Sequence, residues 1–401
     1  KNALAFAEIF HLLKPDVFID THVSNGADYQ YALTHLFTQH NKLGGPLGGY
    51  VHSDIMPKLE AALSGKNWDI TPYVNVFNRP PETGFSQFMD FPRYSTGYTA
   101  LWNTLGLMVE THMLKPYKTR VEGTYELLKS MIEITENEGD RIKALRAASH
   151  EAFTAAATYP IQWETDTTKT STLSFKGYES GYIPSEVTGA LRLYYDRNKP
   201  LTKAVAYQDH YKPSVEVTVP AAYIVPQGWW PVVKRLKANH VEMKSLEKDS
   251  AMTVEVYKIA SYQTISSPFE GHYLHYNTKV TAIEETVRFR KGDYIVATLQ
   301  PGFRYIMETL EPGAPDSFFN WNFFDTVLQQ KEGFSPYVFE DTAKKMLETD
   351  EVLRKTFETE KENDKAFSGD WFAQLNWLYQ RSVHYEKAYL RYPIYRVSKA
   401  Q

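Results

Sequence analysis

Two short apolar runs constrain this chain more than anything else in it. VFID (Val17 to Asp20) and LGLMVE (Leu105 to Glu110) are too short for helices and run straight into polar residues. The first continues as THVSNGAD and the second as THMLK. Unbroken apolar runs of this length belong to strands covered on both faces, the habit of parallel strands in an α/β sheet. Ahead of the first, ALAFAEIFHLL (residues 3–13) carries apolar residues at helical spacing until Lys14, Pro15 and Asp16 stop it. Helix, strand, then polar loop is the order of an α/β layer. Sites in such sheets form beyond the carboxyl ends of the strands. His22 and Glu110 both stand at such ends, 88 residues apart in sequence.

The rest of the chain divides by pattern. Gly44 to Gly49 (GGPLGG) reads as a loop, followed by a helix ending near Ser64 and Gly65. Residues 71–98, rich in Pro, Asn, Gly and aromatics, read mostly as loop, and 118–158 as one long charged helix. Beyond about residue 160 the segments STLSF, SVEVTV, TVEVYKI, TAIEETVRFR and DYIVATLQ alternate as strands do. A helix from about Trp229 to Asn239 interrupts them, and 338–364 and 370–390 look helical again. With 401 residues, the chain exceeds one ordinary core. The expected division is an α/β region over 1–158, a β-rich region over 159–335 and a helical segment over 336–401.

Composition removes several function classes. Lys plus Arg (44) nearly balances Asp plus Glu (48), so there is no basic footprint for nucleic acid. The absence of cysteine removes disulfides, thiolate catalysis and cysteine-based zinc sites. No apolar run approaches the roughly 18 residues of a membrane helix.

Twelve histidines are present, and none begins an HExxH or HxxE motif. His272 and His275 are three apart in a strand-like segment, which points them to opposite faces. His22 stands apart by position, leaving a buried strand into a Ser-Asn-Gly turn. A histidine there is either structural or a ligand for Zn(II), with Asp20 able to orient the ring. Glu110 ends an otherwise apolar strand. It is either paired with a cation such as Lys115 or poised as a general base, since burial raises a carboxyl pKa. A metal ligand with a nearby glutamate is the pair needed to ionise a water. Between them runs Pro92-Arg-Tyr-Ser-Thr-Gly-Tyr98, where Arg93 can clamp a carboxylate and Tyr94 or Tyr98 can reach over a substrate.

FIDTHVSNGADYQY (Phe18 to Tyr31) together with GYTALWNTLGLMVETHMLKPY (Gly97 to Tyr117) resembles the carboxypeptidase A-like zinc peptidases, and most closely their large bacterial, multidomain members. AAYIVPQGWWPVVKRL (Ala221 to Leu236) and LEPGAPDSFFNWNFFD (Leu310 to Asp325) look like the accessory region of such members. The resemblance implies the C-terminal half of a mixed carboxypeptidase-like sheet with flanking helices, then the β-rich region and C-terminal helices. It implies His22 as a zinc ligand and Glu110 as the catalytic base, with Ser24, Arg93, Tyr94 and Tyr98 on the substrate side. The substrate is a peptide trimmed at its C-terminus, and the setting periplasmic or extracellular. The alternative is a non-catalytic module of the same fold that binds peptide or glycan.

The chain departs from the family pattern in lacking the HxxE pair that supplies two further ligands. Beginning at Lys1, it reads as part of something longer and inactive alone. A sheet short of neighbours leaves an open edge beside His22. We therefore expect association through that edge, as a homodimer or with a separate strand, measured by light scattering on the purified chain; a monodisperse monomer is the contrary outcome.

Overall fold

The computed structural model describes residues 2–399. The first region opens with α1 (Asn2–Leu13), β1 (Val17–Ser24), β2 (Leu33–Phe37), α2 (His40–Leu43) and α3 (Gly45–Tyr50), then a π-helix (Val51–Ile55). It continues with α4 (Met56–Ser64), β3 (Ile70–Pro72), β4 (Phe85–Ser86), α5 (Ser95–Ala100), β5 (Leu105–His112) and α6 (Tyr117–Ala155). Its four-stranded sheet has the order β1-β5-β2-β3. β1 and β5 are parallel and in register, with Val17 opposite Leu105 and His22 opposite Glu110. β2 runs antiparallel to β5, placing Thr34 beside Glu110 and Phe37 beside Leu107. The sheet is therefore mixed, as expected, but β1 is its edge strand and is half-exposed, not covered on both faces as its apolar run suggested, and both strands run two residues past His22 and Glu110, to Ser24 and His112.

Period-two alternation decides what each face does. Leu33, Phe37, Leu105, Leu107 and Val109 point to one side and are buried with Leu47, Leu59, Leu63, Leu127 and Met131 of α3, α4 and α6. The other face carries Phe18, Asp20, His22, Gly106, Met108 and Glu110. At its lower end Phe6 of α1 meets Phe18 edge-on at 5.7 Å. α5 packs down on Gly106, where a Cβ would stand 2.7 Å from Thr38 Oγ1 and 3.0 Å from Thr99 Oγ1. The upper, carboxyl end of this face is left to the polar residues.

GGPLGG is a helix, not the expected loop. Pro46 sits at a helix start, where its missing N–H is no loss. Gly48 lies so close to His40 that a Cβ would fall 2.2 Å from the His40 carbonyl oxygen. Close packing of α3 on α2 therefore overrides the poor helix propensity of glycine.

The β-rich region is present. β6 (Thr158–Thr165), β7 (Ser171–Pro184), β8 (Leu191–Gln208) and β9 (Tyr211–Thr218) form two small sheets, with β4 added beside β8. β10 (Ala222–Val225), α7 (Trp230–Ala238), β11 (Lys244–Ser245), β12 (Ser250–Thr264), β13 (His275–Phe289), β14 (Tyr294–Ala297) and α8 (Phe303–Leu310) follow. α9 (Pro336–Thr349), α10 (Glu351–Asn363), α11 (Lys365–Gly369) and α12 (Trp371–Tyr379) bury Phe339, Phe357, Leu375 and Leu378 among themselves. The tail is not wholly helical as expected over 336–401. β15 (Arg391–Val397) enters the six-stranded sheet between β10 and β12. RYPIYRV supplies the apolar positions Tyr392 and Ile394 that this central place buries.

One buried side chain ties the regions together. Arg304 of α8 is 1% exposed. It donates to the carbonyls of Lys42 (2.7 Å) and Leu43 (3.0 Å), to Asn103 Oδ1 (3.0 Å) and to the Tyr159 hydroxyl (3.2 Å). Its guanidinium also lies 4.2 Å over the Phe153 ring. Arg304→Met strips several buried acceptors of their donor and is expected to lower the unfolding free energy by about 3 kcal/mol. The exposed Arg288, paired with Asp249, should matter by only ~0–1 kcal/mol on the same change. Urea unfolding of the two variants checks the contrast.

Candidate functional site

The carboxyl end of the β1–β5 pair gathers the polar groups of that face. Because the two strands are parallel and in register, His22 and Glu110 are lateral neighbours on the same side of the sheet. Their 88-residue separation disappears in a single step across the ladder. His22 is exposed, and its Nε2 lies 2.7 Å from Asp20 Oδ2. Asp20 stands two residues back on the same face, so the carboxylate grips one ring nitrogen and leaves Nδ1 uncommitted. This is the arrangement by which a carboxylate sets the tautomer of a ligand histidine.

Glu110 is 7% exposed. Its Oε2 is buried and has no hydrogen-bond partner. Lys115, the cation that would make Glu110 a structural ion-pair partner, instead donates its ammonium to the Tyr29 carbonyl at 2.8 Å. Burial raises the Glu110 carboxyl above its ordinary value; the His22 charge opposes this and the Asp20 charge adds to it. The Glu110 charge in turn acts on the hydroxyls of Tyr29 and Tyr73. Burial is the main cause that pushes Tyr29 up to about 12.

The other expected residues divide. Ser24 ends β1, buried, with its Oγ 3.2 Å from the Tyr29 hydroxyl and 3.4 Å from the Thr111 carbonyl it donates to. Tyr94 is half exposed, its ring 4.9 Å from Phe88, which touches Tyr73 in turn. Tyr94 thus borders the polar face and Tyr98 does not. The Tyr98 hydroxyl donates to Asn239 Oδ1 at 2.7 Å and faces His11 Nε2, while its ring packs on Phe6 and Phe10. Four residues along α5, it points to the α1 side and serves as packing. Arg93 is likewise committed elsewhere. Its Nη2 lies 2.7 Å from Asp316 Oδ1, and its backbone N–H donates to Asp316 Oδ2 at 2.8 Å. It pins the loop before α5 to the segment after α8, where an arginine clamp on substrate was expected.

Among the described residues no group of three metal donors forms around His22. His112, two residues beyond Glu110, is buried, with Nδ1 hydrogen-bonded and Nε2 lacking a hydrogen bond but turned to the Asp28 carboxylate. Nδ1 accepts the Leu114 N–H at 3.1 Å and Nε2 faces Asp28 Oδ1 at 3.3 Å. The rim therefore offers one imidazole and one unpaired carboxylate, which fits a corner of a zinc site and not a whole one. Three donors do converge in a second place, at His40, His52 and His210. Sequence reading did not single them out, because no metal motif has their spacings of 12 and 158 residues.

Over 99 residues the chain is 29% identical to carboxypeptidase 2 of Trichophyton tonsurans, and equally to carboxypeptidase 2 of Trichophyton rubrum and Trichophyton equinum. The match takes in 25% of this chain and 18% of each relative's length. No family model and no solved structure matches the chain. The similarity amounts to a carboxypeptidase-like relationship over that stretch. No helix among the described residues is long and apolar enough to cross a membrane.

The Glu110 environment has a consequence for stability. An acid whose pKa rises on folding subtracts stability while ionised. The loss is full above the folded value and vanishes below the ordinary value of 4.5. Glu110→Gln should therefore melt above the parent chain at neutral pH, and the gap should close as pH falls from the raised folded value to 4.5. Asp20, His22, Tyr29 and Tyr73 are the titratable groups facing it. Thermal unfolding of both chains across that range measures the effect.

Proposed function

We propose that this protein is a zinc-dependent carboxypeptidase that removes C-terminal residues from peptides, with its active site at the carboxyl end of β1 and β5. One observation carries the reading: Glu110 holds a buried, unpartnered carboxylate oxygen directly beside His22, whose ring Asp20 orients. The local similarity to fungal carboxypeptidases supports the same class.

In this reading His22 contributes a ligand nitrogen, with the remaining protein ligands supplied from outside the described residues. Zinc held there would polarise the scissile carbonyl and acidify the attacking water. Glu110, with its free Oε2, would be the group that holds the proton of the attacking water and returns it to the departing amine. Its raised pKa suits the first half of that task, because a carboxylate with a weaker conjugate acid takes up a proton more readily than an exposed one. Tyr94 stands at the border of the face, able to close over a bound peptide, and Ser24 with Tyr29 forms the floor beneath. The free side of β1 is the edge for a further strand, from the same protein or from a second copy.

The test is mass-spectrometric sequencing of C-terminal ladders, using the protein at its natural full length. Parent protein should shorten peptides from the C-terminus and lose that activity to a chelator. Glu110→Gln should keep the metal and lose turnover by about 10²-fold or more, since an amide cannot accept the proton. His22→Ala should lose bound zinc together with activity. Intact peptides that nonetheless bind to the parent protein would replace the enzyme with a binding module.

A further inference from the structure

His40, His52 and His210 come together at the other end of the first sheet. β2 is antiparallel to β5, so the chain leaving β2 at Phe37 emerges beside Leu107 and not beside Glu110. From Thr34, the neighbour of Glu110, to His40 is six residues, or about 20 Å of extended chain. The cluster is therefore separate from the site proposed above. His40 opens α2, His52 lies in the π-helix Val51–Ile55, and His210 sits in the turn between β8 and β9. π-Helical turns are rare and often found at functional sites.

One ring nitrogen from each histidine lies within 4.8 Å of the other two. The ring centroids are 4.2 Å apart for His40 and His52, 5.0 Å for His40 and His210, and 5.2 Å for His52 and His210. Tetrahedral zinc holds nitrogens at about 2.0–2.1 Å, which sets them roughly 3.4 Å from each other. Side-chain rotations of about an ångström would close the gap.

Asp209 prepares two of the rings. It is 4% exposed. Its Oδ2 lies 3.1 Å from His52 Nε2, and its Oδ1 lies 2.9 Å from His210 Nδ1 and accepts from Ser171 Oγ at 2.9 Å. With those nitrogens donating to the carboxylate, His52 Nδ1 and His210 Nε2 carry lone pairs. One carboxylate thus sets two tautomers, the outer-shell pattern of ligand histidines. His40 is uncommitted as well. The two hydrogens of Gln39 Nε2 go to the Asp209 carbonyl (2.8 Å) and Asn41 Oδ1 (3.2 Å), which leaves only a 3.4 Å approach to His40 Nδ1. Beside His40, His52 and Asp209 is a cavity of ≈ 20 Å³, room for one water. A water there would stand beside two of the three histidines, His40 and His52, where a fourth ligand could come from.

We propose that His40, His52 and His210 bind a divalent transition metal, with Asp209 orienting two of the rings and a water as fourth ligand. Three neutral imidazoles select zinc-like ions over magnesium or calcium, which prefer oxygen donors. The ion joins α2, the π-helix and the β8–β9 turn, which binds the β-rich region to the first sheet. Its role is structural, and its metal is distinct from the one in the proposed active site.

The experiment is a titration of the chelator-stripped chain with Co²⁺ and then Zn²⁺, with elemental analysis after dialysis. The parent chain should bind one equivalent, give cobalt absorption bands of a four-coordinate nitrogen site, and melt higher with metal present. His22→Ala and Glu110→Gln should retain all three properties. His210→Ala and His52→Gln, with circular dichroism unchanged, should lose the equivalent and the metal-dependent rise in melting temperature. If a variant fails to fold, the parent's cobalt spectrum decides alone, and bands of an oxygen-ligated ion overturn the proposal. Absence of bound metal in the parent, or its loss in His22→Ala, also overturns it. Neither result bears on whether the full-length protein cleaves peptides.

Discussion

The buried guanidinium of Arg304 is the interaction on which the joining of the two regions depends. A charged group at 1% exposure is tolerable only when nearly all its donors are used. Arg304 spends them on the carbonyls of Lys42 and Leu43, on Asn103 and on Tyr159, thereby capping the carboxyl end of α2, where carbonyls lack helical partners. The Tyr159 hydroxyl donates in turn to Glu308 Oε1 at 2.7 Å, one turn further along α8. The Lys42 ammonium, itself 2% exposed, donates to the Asp90 carbonyl and lies 3.8 Å from Glu308. α2, the loop after α5, β6 and α8 are thus locked by a network in which each member satisfies another. Such networks favour one arrangement strongly, since any alternative packing leaves charges buried and unpaired.

That rigidity bears on both histidine-bearing regions, because β2 and α2 run from beside Glu110 to His40. β2 sits beside the strand that carries Glu110 and leads directly into His40. The sheet's alternation allots the residues of β1 and β5 to opposite tasks: Leu105, Leu107 and Val109 to the core, Glu110 and His22 to the open face. A one-residue slip of β1 against β5 would separate His22 from Glu110 and bury the charged face of the sheet. The apolar face forbids that slip, so the core holds the site in register.

Much of this was legible in the chain. The runs VFID and LGLMVE marked both strands and their polar ends, because short apolar runs leaving into turns have few other uses. The long helix over 118–158 and the helix near Trp229 also lie where their local patterns put them. GGPLGG misled, since its helix exists only by packing Gly48 against His40. RYPIYRV near the end went unread as a strand because a Pro and a helical context mask it, and its partners β10 and β12 lie more than 120 residues upstream. Arg93 and Tyr98 were plausible reaching groups by composition, yet Asp316 and Asn239, over a hundred residues away, hold them.

By itself the sequence determined that His22 and Glu110 lie toward the carboxyl ends of two strands, because period and polarity are local properties carried by adjacent residues. Tertiary structure decided that they are neighbours, that one oxygen of Glu110 has no partner, and that Tyr94 borders the face while Tyr98 does not. It also gathered three histidines from separate elements and set two of their rings, His52 and His210, on one carboxylate, Asp209. The physical reason is the same throughout. Side-chain direction follows from spacing along one element, whereas partnership is set by register and packing between elements far apart in the chain.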